Sequence, residues 1–127
     1  MNHRIDADAR PADISNDAVS FSNSDLITFL RKDELYAKEG KTARTLVRSN
    51  NLTIILTVLK EGNGLQPHKA PGPIHVIVLD GQLSFRVSSQ EGETLSAKDS
   101  IVVPSGHSHS VQAITDCAFM ITIGGKE

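Results

Sequence analysis

The chain has 127 residues, with 13 Lys and Arg against 15 Asp and Glu and a net charge of −2. That length suits one domain with one hydrophobic core, and the charge balance excludes a basic surface of the kind that binds nucleic acid or anionic membrane. The single cysteine, Cys117, excludes an internal disulfide framework and points to a reducing, cytoplasmic compartment.

Residues 1–23 are polar, with Asp, Asn and Ser scattered without period, and carry no apolar stretch of the secretory type. They read as a flexible arm or as an extended strand wrapped on the body. No apolar run reaches the length of a membrane span; the longest, Leu52 to Leu59, is interrupted by Thr53 and Thr57. Residues 24–127 read as a single domain. It opens with a short helix that starts at Ser24-Asp25, places Leu26, Phe29 and Leu30 on one face, and closes at Gly40.

Beyond residue 42 the period changes to two. A short strand is expected at Thr45 to Arg48, then a longer one at Leu52 to Leu59, followed by a turn at Glu61-Gly62-Asn63-Gly64. Pro71-Gly72-Pro73 breaks the chain before Ile74 to Leu79, and Asp80-Gly81 reads as a hairpin turn into a strand carrying Leu83, Phe85 and Val87. Further strands are expected at 94–97, 100–103, 107–114 and 117–123. Many short strands with frequent turns indicate a sandwich, barrel or jelly roll. The strands at 74–79 and 117–123 are apolar on both faces. One face fills the interior, and the other needs cover from the arm and helix or from a second subunit. A homodimer formed through a sheet face is therefore expected.

The stretch from Gly62 to His109 resembles the cupin superfamily. Its first motif runs G-x5-H-x-H-x3,4-E-x6-G, matched by Gly62, His68 and Gly81; its second runs G-x5-P-x-G-x2-H-x3-N, matched by Pro104, Gly106 and His109. The segment His68 to Ile74 also looks like a subgroup of small stand-alone cupins. The resemblance covers residues 45 to 123 and implies an all-β double-stranded β-helix, or jelly-roll barrel. It also implies that the two motifs' three histidines and one glutamate hold a divalent metal inside the barrel. This chain departs from that pattern. Ala70 stands at the second histidine, Ile74 at the glutamate counted back from Gly81, Lys98 at the second motif's opening glycine and Ala113 at its closing Asn.

His68 and His109 are thus the two metal-ligand candidates in register. Counted forward from His68 with the longer gap, His75 takes the glutamate position and gives a three-His site suited to zinc, iron, copper or nickel. Counted back from Gly81, strand alternation points Ile74, Val76 and Val78 inward and His75 outward; the fixed turn at Gly81 favours this second count. His107, two residues before His109, is a spare ligand or proton carrier, or an exposed residue of the Pro104-Ser105-Gly106 turn. His3, in the arm, reads as solvent-exposed. Cys117 reads as a small core hydrophobe, and Arg44 and Arg48 as a solvated edge in preference to a site for an anionic ligand.

Three functions are in competition. The favoured one is a binding module that takes a small molecule, or a weakly held ion such as iron, nickel, zinc or manganese, in its barrel. The second is a metal-dependent oxygenase, isomerase or lyase with a histidine-only site. The third is a structural or regulatory partner that associates through its apolar outer strands.

Overall fold

The computed structural model describes residues 3–4, 10–14 and 16–125, with side chains from residue 10 onward. The expectation for the His3 side chain lies outside the described residues. A short strand β1 (His3–Arg4) pairs in parallel with β2 (Val19–Ser20). Ala12 lies along the body: its N–H donates to the Leu46 carbonyl (2.9 Å), and the Arg48 N–H donates to the Ala12 carbonyl (2.8 Å).

Two helices follow where one was expected. Helix α1 (Asn23–Arg31) starts one to two residues early, because the Ser22 side chain accepts from the Asp25 N–H. It buries Leu26 and Leu30, one turn apart. The helix then breaks. Asp33 takes an extended conformation and accepts from the Leu35 N–H (2.9 Å), capping a second helix α2 (Glu34–Glu39). Gly40, at φ 75°, ends α2 by donating its N–H to the Tyr36 carbonyl, as the expected stop at that glycine required.

Nine strands build the body: β3 (Lys41–Arg48), β4 (Leu52–Leu59), β5 (Gly64–His68), β6 (Ile74–Asp80), β7 (Gln82–Val87), β8 (Glu93–Ser96), β9 (Ser100–Val103), β10 (His109–Ala113) and β11 (Cys117–Gly124). They form two antiparallel sheets, in the orders β3-β4-β11-β6-β9 and β5-β10-β7-β8. Asp80-Gly81 is not a hairpin turn. Strands β6 and β7 belong to different sheets, so this dipeptide turns the corner between them. Gly81 holds φ 77°, and a Cβ there would lie 2.1 Å from the Asp116 carbonyl oxygen. The chirality that favours Gly in a tight hairpin favours it equally at a corner, so the residue pair alone did not separate the two.

Strand alternation sorts the side chains. Ile74, Val76 and Val78 of β6, Leu83 and Phe85 of β7, Val111 and Ala113 of β10, and Cys117, Phe119 and Ile121 of β11 meet between the sheets. Burying a side chain of this size stabilises the fold by about 1.5–3 kcal/mol. The outer face of the five-stranded sheet is apolar as well, and α1, α2 and the residues Ala12, Val19 and Phe21 cover it. Leu26, Leu30 and Tyr36 pack there on Leu46, Leu56, Val58, Ala118 and Met120, with Ile77 and Leu79 at the margin. Of the two covers that the doubly apolar strands required, the chain itself supplies this one. Among the described residues no helix is long and apolar enough to cross a membrane.

Candidate functional site

Strand β10 lies between β5 and β7, and its first residue, His109, stands directly opposite His68 on one side and Val87 on the other. The register of β10 against β5 shifts between His109 and Val111, an irregularity next to the histidine pair. The two imidazole rings meet edge to face, with centroids 4.3 Å apart, and the His109 ring stacks on Phe85 at 5.8 Å. His109 is buried, at 4 % exposure, while His68 is exposed at the strand end. One imidazole is thus set into the wall and the other stands over it.

The tautomer of His68 follows from its partner. Its Nδ1 lies 2.9 Å from the Gln66 carbonyl oxygen. A carbonyl can only accept, so Nδ1 carries the proton and Nε2 presents a lone pair. A backbone carbonyl behind a ring nitrogen is also the usual support of a metal-binding histidine. Among the described residues the Nδ1 of His109 is buried without a hydrogen-bond partner. Burial lowers the His109 pKa below the ordinary imidazole value, and the charge of a protonated His68 lowers it further; the His107 backbone offsets this in part. The buried ring is therefore held neutral at pH 7.

The other candidates lie apart from this pair. His75 is exposed on the outer face of β6, opposite Val102 and Thr122, while its neighbours Ile74 and Val76 enter the core. The three-His site that includes it does not form, and the count back from Gly81 gives the correct face. His107 is exposed just after the Pro104-Ser105-Gly106 turn and precedes β10, which begins at His109 rather than at 107. The remaining motif positions are apolar: Ala70 packs against the interior cluster and Ile74 is 3 % exposed within it. Among the described residues no three His, Cys, Asp or Glu side chains converge as a metal site would require. The donor set does not fit the centre of three histidines and one glutamate that the cupin pattern implies.

Lys98, at the second motif's opening glycine, keeps the backbone of that glycine: its φ is 79°, and its N–H donates to the Val78 carbonyl at 2.7 Å. Cys117 is fully buried and its thiol is pushed up to about 11, chiefly by burial, so it stays protonated as a core residue. Arg44 lies over the Phe29 ring, 5.3 Å from its centre, rather than standing free at an edge. Sequence reasoning missed Phe85 as a partner of His109. Its inward parity on β7 was legible, but the pairing of β7 with β10 was not.

No protein-family model and no curated protein matches the sequence. Solved structures do. A conserved protein of unknown function from Streptococcus pyogenes superposes with a TM-score of 0.65 at 26% identity, over 71% of this chain and 78% of its own. An RmlC-like cupin with a double-stranded β-helix fold from Methanocaldococcus jannaschii gives 0.64 at 21% identity, over 67% of this chain and 80% of its own. This chain has the cupin fold, a double-stranded β-helix. A cupin 2 conserved barrel domain protein from Leptotrichia buccalis is 28% identical, with a TM-score of 0.64 over 68% of this chain; this chain spans only 42% of that longer protein.

Proposed function

We propose that this cupin is a binding module whose polar site is the His68–His109 pair. The exposed Nε2 lone pair of His68 accepts from a ligand O–H or N–H, or joins His109 in holding a divalent ion weakly. The observation that supports this most is the chemistry of Ala70 and Ile74. Both stand at motif positions for metal ligands, and both pack into the apolar interior. Two imidazoles leave an ion such as zinc, nickel, iron or manganese mostly hydrated and easily lost. The metal-enzyme reading needs a third donor; the exposure of His75 on the outer face of β6 and of His107 before β10 favours the binding module over it.

Restoring a donor tests the reading. Nickel titration by calorimetry should show weak binding to the wild type and binding at least about tenfold tighter, or about 1.4 kcal/mol, to Ala70→His. Equal affinity in the two proteins would contradict the proposal.

A further inference from the structure

The four-stranded sheet has a second face. Because Leu83, Phe85 and Val111 point into the core, alternation turns Ser84 and Arg86 of β7 and Ser110 and Gln112 of β10 to the outside. The register sets Arg86 directly opposite Ser110, and Ser84 directly opposite Gln112. Gln66 of β5 joins them. These five side chains line a groove of about 340 Å³, within the range of small-molecule sites, about 300–1,000 Å³. The groove lies on the opposite face of the sheet from the interior cluster.

Its chemistry is one-sided. Among the described residues Arg86 has no ion-pair partner, and no acid lines the groove. At one end Lys41 Nζ donates to the Gly64 carbonyl at 3.3 Å, which brings a second positive charge beside it. The Gln112 side chain is oriented by donating Nε2–H to the Gly62 carbonyl (3.2 Å). A solvated sheet face needs neither a cavity nor a guanidinium without an acid. A guanidinium fork takes a carboxylate by paired hydrogen bonds, and hydroxyls and amides, each both donor and acceptor, match ligand hydroxyls.

We propose that this outer groove binds a small carboxylate carrying hydroxyl groups, with Arg86 taking the carboxylate. The site is separate from the histidine pair and goes beyond the reading given above.

The test is an amide NMR titration of the full chain with gluconate, acetate and sorbitol. Gluconate should give saturable shifts at residues 84, 86, 110 and 112, sorbitol none and acetate weaker ones. Arg86→Gln, at an exposed position, should leave the rest of the spectrum in place and weaken gluconate at least about tenfold. Several results would overturn the proposal: no saturable shifts, sorbitol matching gluconate, or gluconate binding that survives Arg86→Gln. Acetate matching gluconate would overturn the role of the hydroxyls. Shifts centred on His68 and His109 would assign the ligand to the barrel and refute the groove.

Discussion

A buried imidazole with an unpartnered nitrogen carries a pH signature. The folded state holds His109 neutral, with a pKa below that of the unfolded chain, because burial and then the neighbouring His68 disfavour its charged form. In the acid range the unfolded chain therefore binds more protons at this position. The stability that His109 contributes is fully present above about pH 6.5, the ordinary value, and is lost as pH falls through the folded value. An imidazole titration followed by NMR should place the His109 midpoint below the ordinary one, and His68→Ala should raise it by removing the neighbouring charge. A midpoint at or above the ordinary value, or one unmoved by His68→Ala, would contradict the geometry of the pair. His68 and His109 were legible as a pair from motif spacing. The tautomer of one and the burial of the other were not, since both depend on a carbonyl and a ring, Gln66 and Phe85, that the fold brings up.

At the scale of elements, what could be read was whatever repeats along the chain. Strands β4, β6 and β11 are long apolar runs, and their boundaries were found within a residue or so. Strand β5 was missed because Gly64-Leu65-Gln66-Pro67-His68 neither alternates nor excludes Pro; it is tolerated because β5 is an edge strand. Likewise Lys41-Thr42-Ala43-Arg44 hides the first half of β3, where Thr42 is the buried member. The helix was read as one because the break at Lys32-Asp33 is set by a cap, Asp33 on Leu35, inside a weakly periodic stretch. The turn before β9 offers a direct check. Lys98 occupies a left-handed conformation that costs a side-chain-bearing residue roughly 1–2 kcal/mol, only partly offset by the lower chain entropy of a non-glycine residue. Lys98→Gly should raise stability to urea by up to about 1 kcal/mol. A loss of stability would show that the lysine makes a contact worth more than its strain.

The whole molecule is a barrel closed inside and covered on one side. Two apolar clusters lie back to back across the five-stranded sheet, one between the sheets and one beneath the helices. This arrangement explains strands that are apolar on both faces without a partner subunit at that surface. Interior positions that carry donors in the cupin motif instead hold aliphatic groups, which adds packing and removes ligands. Three cavities of about 340, 240 and 500 Å³ open elsewhere, and neither His68 nor His109 lines any of them.

Elemental analysis distinguishes a barrel that keeps the cupin fold without a tightly held metal from one that retains the metal. Purified, untagged protein would be loaded in turn with iron, nickel, zinc and manganese, dialysed, and assayed for metal per chain. Each metal should fall far below one per chain. Near-stoichiometric metal that survives dialysis and disappears in His68→Ala or His109→Ala would contradict it.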